Sequence, residues 1–234
     1  MLVWDQTEPC PYLPGRLARM PMRLPLRPLT PTETDEHLAL GDRRHGRLLY
    51  RPTCATCRAC EAVRLDVQRF RPGRTQRRAL RRGDAVLDLE LGEPELTDER
   101  LALYEKHKQG RGLLGPSVRP LDADGYYAFL VDRCVHAFEI RYRLEGRLVG
   151  VAVTDRGASA LSAVYCYFDP ELPRLSIGTY SILKQVDLCR RWELDHLYLG
   201  LYIADNRHMS YKSGFQPHER LVDGRWQQLP SDRE

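Results

Sequence analysis

The 234-residue sequence predicts an α+β fold, in which helices flank a mixed β-sheet. The second half of the chain alternates between segments with the apolar period of a helix and segments with the period of a strand. Three successive strand-like segments, Ala137–Leu144, Arg147–Thr154 and Ala160–Phe168, are separated by short connections such as Glu145-Gly146. Such spacing is typical of antiparallel neighbours in a sheet.

The N-terminal part contains shorter elements. Seven prolines between residues 9 and 31 favour an extended, irregular arm. Thr30, Pro31 and Glu33 supply an N-cap, a first-turn proline and a capping box, so a helix begins there and ends at Gly41. Further predicted elements are strands at Leu48–Arg51 and Ala62–Phe70 and a helix at Arg74–Arg82.

The remaining elements complete a recognisable order. The sequence predicts helices at Thr97–Gln109, Asp122–Arg133, Ile177–Trp192 and Arg207–Ser213, a strand at Leu197–Ile203 and a loop at Leu113–Val118. Two helices, three antiparallel strands, a helix and a strand follow the order of an N-acetyltransferase-like (GNAT-type) fold. A break near residues 84–95 predicts two parts, a cysteine-rich basic domain at 1–90 and an acyltransferase-like domain at 91–234.

Composition indicates a soluble chain. Hydrophobic residues make up 42% and charged residues 29%, which is ordinary for a folded soluble protein. No apolar run approaches the ~18 residues that span a bilayer, and the first residues lack the pattern of a secretory signal. Seven cysteines without such a signal favour a reducing compartment. We therefore expect a cytoplasmic protein with no membrane partner.

Positive charge is concentrated in one window. Residues 41–83 hold 13 arginines and three acids, a net charge of +10, whereas the whole chain has a net charge of +4. A basic block on an otherwise acidic protein favours a polyanion partner such as a nucleic acid. The alternative is a compositional bias, since the chain has 32 arginines and four lysines. That bias explains why arginine is used in place of lysine, but it does not explain why the positive charge is concentrated in residues 41–83.

Four cysteines have the spacing of metal ligands. Cys54, Cys57 and Cys60 are three residues apart, and Cys10 lies near the N-terminus. Thiolates at this spacing turn towards one ion, and a distant fourth completes a tetrahedron. Zinc and an iron–sulfur cluster both fit four thiolates, and the alternative is a set of buried thiols without a metal.

The start of the long C-terminal helix predicts an anion site. Free N–H groups at a helix N-terminus bind phosphate oxygens, and the turn here contains Ser176, Gly178 and Thr179. Acyl-CoA enzymes commonly carry Arg or Gln three residues before this glycine and a small residue two residues after it. This chain has Leu175 and Tyr180 at those positions. The turn therefore favours an anion other than coenzyme A.

Several motifs together resemble the aminoacyl-tRNA–protein transferase family. They are Tyr50-Arg51-Pro52, Ser162-Ala-Val-Tyr165-x-x-Phe168-Asp169-Pro170, Leu175-Ser176-Ile177-Gly178-Thr179-Tyr180-Ser181, Gly200-x-Tyr202-Ile203 and Met209-x-Tyr211-Lys212, with the late Pro217 and Trp226. The resemblance implies transfer of an amino acid from its tRNA to the N-terminal Asp or Glu of a protein, which marks that protein for degradation. The compact bacterial branch transfers leucine from leucyl-tRNA, and the eukaryotic branch transfers arginine, which remains the alternative donor.

The chemistry of that reaction suits this chain. An aminoacyl ester is already activated, so the enzyme needs only to align two substrates, deprotonate an amine and stabilise an oxyanion. The sequence has no phosphate-cradling P-loop and no Rossmann glycines, so no nucleotide cofactor is expected. An acidic acceptor requires a cationic pocket, and Lys212 and Arg141 are candidates.

The candidate site residues fall into two groups. The catalytic candidates are Asp169 and Glu139 as bases and Tyr165, which could stack a terminal adenine. The candidates for substrate binding are Arg51, Arg141, Ser176, Gly178, Thr179, Tyr180, Tyr202, Tyr211 and Lys212.

Two other functions compete with this interpretation. One is a coenzyme A-dependent N-acetyltransferase, which the residues at 175 and 180 disfavour. The other is a zinc-ribbon RNA-binding module, which the basic window favours but which leaves the second half without a role.

Overall fold

The computed structural model describes residues 1–113 and 121–228. Within these ranges a large mixed sheet is flanked by helices, so the predicted α+β class is confirmed. The predicted loop Leu113–Val118 lies outside the described residues, apart from Leu113.

Strands are numbered in chain order. They are β1 Leu2–Trp4, β2 Thr7–Pro9, β3 Leu17–Arg19, β4 Met22–Arg23, β5 Arg43–His45, β6 Leu48–Tyr50, β7 Glu61–Asp66, β8 Leu87–Gly92, β9 Ala137–Leu144, β10 Arg147–Arg156, β11 Ala160–Phe168, β12 His196–Tyr202, β13 Glu219–Val222 and β14 Arg225–Gln228.

Helices are numbered in the same way. They are α1 Pro31–Ala39, α2 Arg74–Asp84, α3 Asp98–Gly110, α4 Ala123–Tyr126 and α5 Ile177–Arg191. A π-helical turn at Tyr127–Val131 continues α4, and 3₁₀ helices cover Pro173–Leu175 and Ser210–Gly214. No helix in the described ranges combines the length and the apolar character needed to cross a membrane.

The large sheet has the strand order β14-β13-β7-β12-β11-β10-β9-β8. Its neighbours pair antiparallel except β11 and β12, which run parallel. Strand β7 comes from the N-terminal part of the chain and pairs with both β12 and β13. The sheet therefore takes strands from both sides of the predicted boundary near residue 90, and the division into two domains stays a prediction.

Helices cover both faces of this sheet. On one face α5 packs its buried side chains against residues such as Tyr142 and Leu199 in one apolar cluster. On the other face α3 and α4 pack against Val151 and Tyr167 in a second cluster. Strand β10 is buried from Leu148 to Asp155, because a strand covered on both faces has no solvent side.

A smaller N-terminal sheet, with the order β1-β4-β6-β5, docks onto the end of β10. The Arg44 guanidinium on β5 donates from Nε to Asp155 Oδ1 at 2.9 Å, and both side chains are almost completely buried. Removing either partner would leave a buried charge uncompensated, which typically costs ~3–5 kcal/mol. This ion pair places β5 beside the large sheet.

Local sequence signals locate most elements correctly. The observed bounds of β9 and β11 match the prediction, and Thr30 and Thr97 cap α1 and α3 as expected. The strand predicted to end at Phe70 ends at Asp66, because the Asp66 carboxylate accepts the backbone N–H groups of the next turn. The predicted helix Arg207–Ser213 is instead the 3₁₀ helix at Ser210–Gly214.

Candidate active site

A cleft opens where two parallel strands separate. β11 and β12 pair only from Ala160 to Ser162, and beyond that point β12 continues to pair with β7 on its other side. The edge of β11 from Ala163 to Phe168 therefore has no partner strand on the β12 side. We call the gap between this edge, β12 and the 3₁₀ helix Ser210–Gly214 the splayed cleft. Free backbone N–H and C=O groups along such an edge can orient a substrate.

Arg43 reaches into the splayed cleft from β5. Its Nη2 donates to the Ala163 carbonyl at 3.4 Å, and the residue is 7% exposed. Gly200 on β12 makes room for the guanidinium, since a Cβ there would lie 3.3 Å from Nη2. Gly200 also has a φ of +87°, which disfavours any other residue.

Lys212 enters the same region from the 3₁₀ helix. Its ammonium donates to the Leu201 carbonyl at 2.5 Å and lies 3.3 Å from Met209 Sδ. The residue is 5% exposed. Burial, together with the nearby positive charge of Arg43, lowers the pKa of Lys212 to about 7. The predicted binding residue Lys212 is thus a buried amine close to a second cation.

These two cations form no ion pair with a carboxylate among the described residues. The ion pairs found there involve other arginines and lysines. Arg43 has one long hydrogen bond, the phenols of Tyr12 and Tyr50 as neighbours, and a longer-range attraction to Asp155, whose carboxylate is already paired with Arg44. Burying a charge without a partner is costly unless a bound group compensates it. Arg43 and Lys212 are therefore complementary to a bound anion, and we call them the cation pair.

Tyr211 lies beside the cation pair. Its ring is 45% exposed, its edge faces Phe215, and the Lys212 ammonium is 5.4 Å from the ring centroid. The hydroxyl end is buried near Cys166 and Arg111, and this burial raises the pKa of Tyr211 to about 12. The phenol therefore stays protonated near neutral pH.

The N-terminus of α5 borders the same cleft. Ser176 has left-handed backbone (φ 51°) and forms no side-chain cap, so the first N–H groups of α5 lack the side-chain acceptor that Thr30 gives α1. Gly178 and Thr179 are half-buried, and a Cβ at Gly178 would lie 3.3 Å from the Phe168 ring. These residues leave a helix terminus open to an anion.

Helix α2 carries its arginines next to this terminus. The exposed residues are Arg74, Arg77, Arg78, Arg81 and Arg82, and none of them pairs with a carboxylate among the described residues. Arg82 donates to the Arg174 carbonyl at 3.0 Å, just before α5. Gly83 allows α2 to contact α5 closely, since a Cβ at this position would lie 2.3 Å from the Tyr180 ring on α5. The exposed arginines of α2 therefore lie beside the uncapped N-terminus of α5.

Two predicted substrate-binding tyrosines are core residues instead. Tyr180 is fully buried, and its hydroxyl donates to Asp84 at 3.0 Å, so it joins α5 to α2. Tyr202 is 4% exposed within the main core cluster, and the Arg220 guanidinium lies 4.7 Å from its ring centroid. Both rings are packed in the core in this structure, and their assignment to substrate binding stays a prediction.

The predicted bases are held in ion pairs. Glu139 is fully buried on β9, two strands away from β11, and accepts hydrogen bonds from Arg100; burial raises its pKa. Asp169 is 1% exposed and accepts from Arg147 at 2.7 Å and Lys106 at 2.9 Å. Burial opposes ionisation of Asp169, but these hydrogen bonds outweigh it, and its pKa lies below the ordinary value. Ion pairing and burial disfavour both carboxylates as bases in this structure, and the two assignments stay predictions.

Two predicted arginines also lie outside the cleft. Arg141 on β9 is 3.5 Å from Glu90 and donates to the Leu91 carbonyl. Arg51 donates to the Leu40 carbonyl at 2.6 Å and lies 3.3 Å from Asp42. Each has a local structural partner, and the assignment of these two residues to substrate binding stays a prediction.

Tyr165 points away from the cation pair, towards α3 and the π-helical turn. Its ring lies 5.4 Å from Phe129 and 5.8 Å from Tyr104, measured between centroids. Burial among these rings raises the pKa of Tyr165 well above its ordinary value. Tyr165 therefore packs among aromatic side chains in this structure, and its raised pKa disfavours a role in proton transfer.

The four predicted metal ligands lie near enough to one another to interact electrostatically. Burial and the neighbouring thiols of Cys10, Cys54 and Cys57 raise the pKa of Cys60 to about 12. Three of these sulfurs accept N–H hydrogen bonds, from Leu13, Arg19 and Arg16 at 3.4–3.5 Å. Within residues 1–113 and 121–228, no three or more metal-binding side chains are arranged so that they could hold one metal ion. The donor set nevertheless suits a soft metal.

Arg43 is the residue that the sequence did not single out. It is one of 13 arginines in the basic window, and no local pattern separates it from the others. Its distinguishing contact is with Ala163, which is 120 positions away. Only the packing of the N-terminal sheet on the large sheet identifies it.

Comparisons with known proteins identify the family. The family model described as arginine-tRNA-protein transferase, C terminus, matches residues 99–222, and the model for the N terminus matches residues 8–78. A protein of Chromobacterium violaceum named aspartate/glutamate leucyltransferase is 41% identical over 95% of this chain and 91% of its own length. A relative of the same name from Marinobacter nauticus is 38% identical over 99% of this chain and 98% of its own.

Solved structures are more distant. L-PGS from Bacillus licheniformis has a TM-score of 0.46 at 13% identity, and covers 65% of this chain and 49% of its own. The ribosomal-protein-S18-alanine N-acetyltransferase of Escherichia coli has a TM-score of 0.32 at 12% identity, over 45% and 61% of the two chains. Sequence carries the assignment: the two family models and the relatives at about 40% identity show that this chain belongs to the arginine-tRNA-protein transferase family.

Proposed function

We propose that this protein transfers leucine from leucyl-tRNA to the N-terminal Asp or Glu of acceptor proteins. The names of its relatives support the reaction. The observation that carries the proposal is the cation pair, because Arg43 and Lys212 are buried, lack a carboxylate partner among the described residues and border the splayed cleft. An acidic N-terminal side chain supplies the missing negative charge. The product has leucine at its N-terminus, which would mark it for degradation.

The chemical step requires alignment more than activation. The acceptor α-amine attacks the ester carbonyl, an amide bond forms, the ester bond breaks, and the tRNA 3′-hydroxyl leaves with a proton that the amine lost. Free α-amino groups have a pKa of about 7.7–8, so a substantial fraction is already nucleophilic near neutral pH. The cation pair would hold the acceptor carboxylate, and the free edge of β11 would orient the ester. Such a reaction belongs in the cytoplasm, where charged tRNA is made.

The donor tRNA would approach along α2 and the N-terminus of α5. The exposed arginines of α2 lie beside the uncapped first turn of α5, so the two helices form one positive path towards the cleft. Backbone N–H groups and arginines both bind phosphate oxygens. We propose that the terminal phosphates of the tRNA follow this path.

The direct test offers the purified protein leucyl-tRNA and arginyl-tRNA separately, each with peptides that begin with Asp, Glu or Lys. We expect leucine on the Asp and Glu peptides alone. Transfer of arginine in preference to leucine, or transfer to the Lys peptide, would overturn the proposal. Acetylation of the peptides from acetyl-CoA would instead favour an N-acetyltransferase.

Salt dependence tests the tRNA path. Replacing Arg78 and Arg81 with Gln should lower the slope of log affinity against log salt by about 2 if each contacts one phosphate. The matched control replaces Arg191 and Arg225, which are also exposed and unpaired within the described residues, and should leave the slope unchanged. Filter binding of charged tRNA between low and moderate salt measures both. If the two double variants have the same slope of log affinity against log salt, Arg78 and Arg81 do not contact the tRNA and it binds to another surface.

We also propose that Cys10, Cys54, Cys57 and Cys60 hold zinc or an iron–sulfur cluster. The proximity of the four thiols and the N–H donors to their sulfurs support it, since such donors stabilise thiolates. A bound metal would tie the N-terminal arm to the 54–60 segment. Its role would be structural, because these residues are separate from the cation pair.

Metal content after anaerobic purification tests this site. Cys57→Ser should lose the metal and melt at a lower temperature, because metal binding contributes to folding. Cys166→Ser, which changes a cysteine of similar burial on β11, should retain the metal. Wild-type protein with four reactive thiols and no metal would refute the proposal.

A further inference from the structure

A large cavity lies on the side of β11 opposite α5. Its volume is about 590 Å³, and its walls come from α3, the turn that follows α4, and the β5–β6 hairpin. We call it the aromatic pocket, and its apolar walls are Leu48, Tyr104, Leu121, Phe129 and Tyr165. This size is within the range of small-molecule sites in proteins.

The aromatic pocket adjoins the splayed cleft through β11. Tyr165 lies on the stretch of β11 that has no partner on the β12 side, and it also forms a wall of the pocket. Residues 163–166 are half-buried, so this stretch remains accessible. An ester held on the β11 edge therefore has the pocket within reach of its side chain.

The charges around the aromatic pocket disfavour a cationic occupant. Asp132 is the one carboxylate among the described lining residues, and it is 40% exposed at 3.9 Å from Arg47. Lys108 adds a positive charge, and burial lowers the pKa of its ammonium. A guanidinium entering the pocket would lose its hydration, meet no free carboxylate and be repelled by Lys108. An aliphatic side chain has none of these costs.

We propose that the aromatic pocket receives the side chain of the donor amino acid and selects leucine over arginine. This inference rests on the proposed function, because it identifies where one substrate of that reaction binds. The cation pair would then recognise the acceptor carboxylate on one side of β11, and the aromatic pocket would recognise the donor side chain on the other side.

Two substitutions test the pocket in opposite ways. Ala128 lies in the wall with an exposed side chain, so Ala128→Phe should fill the cavity without disturbing the core. We expect kcat/KM for leucyl-tRNA to fall at least tenfold, with the KM of the acceptor peptide unchanged. Leu121→Glu adds a carboxylate to the wall and should raise the ratio of arginine to leucine transfer at least tenfold. Tyr127→Ala, on the same helical turn but outside the lining, should change neither quantity.

Failure of this inference is separable from failure of the proposed function. Binding of 3′-leucylamido-adenosine and 3′-arginylamido-adenosine, which cannot react, is measured by calorimetry for the wild type and the three variants. Preference of the wild type for the leucyl compound, reduced in Ala128→Phe, supports the pocket whether or not transfer occurs. Unchanged preference and unchanged transfer ratios in folded variants would overturn the inference, even if the wild type transfers leucine.

Discussion

Replacing Lys212 with Met is expected to make the protein more stable and nearly inactive. A charged hydrogen bond to the acceptor carboxylate contributes about 1.5–3 kcal/mol, so kcat/KM for an Asp-initiated peptide should fall by roughly a hundredfold. Stability should rise because a buried lysine without a carboxylate partner disfavours the folded state. A gain of 1 kcal/mol would raise the Tm by about 2–4 °C in a chain of this size.

The pH dependence of that gain follows from the pKa of Lys212. The pKa is about 7 in the folded protein and 10.5 for an ordinary lysine, so the unfolded chain binds more protons between these values. Stability of the wild type therefore rises with pH through this window. The advantage of Lys212→Met should be full below about pH 7, decline as the pH rises through the window, and disappear above about pH 10.5. Lys184→Met, which changes a lysine already paired with Asp84, should show no such pH-dependent gain.

Substrate choice separates binding of the carboxylate from a general loss of activity. An Asn-initiated peptide presents no charge to the cation pair, so its low rate should change little in Lys212→Met or Arg43→Gln. The preference for Asp over Asn should collapse in both variants. If the preference persists in a folded variant, the acceptor carboxylate binds elsewhere.

Gly178→Val is expected to reduce transfer from charged tRNA by more than tenfold, which corresponds to about 1.4 kcal/mol of transition-state binding. A Cβ at this position would already lie 3.3 Å from the Phe168 ring, and the two further methyl groups would cover the first turn of α5. Phosphate oxygens would then lose access to the N–H groups there. The KM of the acceptor peptide should barely change, because the cation pair is not altered.

A graded series supplies the control. Gly178→Ala adds only the Cβ, which the Phe168 ring can accommodate by shifting a few tenths of an ångström, so its loss should be intermediate. Melting curves must show that both variants remain folded. Full activity in folded Gly178→Val would mean that the donor phosphates do not use the N-terminus of α5.

The elements of the fold were largely readable from local patterns. Apolar and polar residues alternate along β9 and β11, and turns bound both strands. Thr30 and Thr97 cap α1 and α3 through contacts with residues fewer than five positions away. The bounds of these elements therefore depend on residues close by in the sequence. The transition from α4 into a π-helical turn was not readable, because it depends on how that segment packs on the large sheet.

The site was readable only in part. Lys212 and the α5 turn belong to contiguous motifs, and the structure brings both to the splayed cleft. Tyr180 and Tyr202 belong to equally distinctive motifs but lie in the core. A tyrosine that stacks on a substrate and one that packs two helices look the same in one sequence, because burial depends on residues far along the chain.

Sequence alone thus determined the fold class, the family and the basic and cysteine-rich segments, since these depend on composition, periodicity and contiguous motifs. Tertiary structure alone decided which charges are compensated. Glu139 and Asp169 acquired arginine and lysine partners, whereas Arg43 and Lys212 were buried without a carboxylate among the described residues. Those partners come from distant segments, as Ala163 does for Arg43 across 120 positions, and the free energy of a buried charge depends on what surrounds it in space.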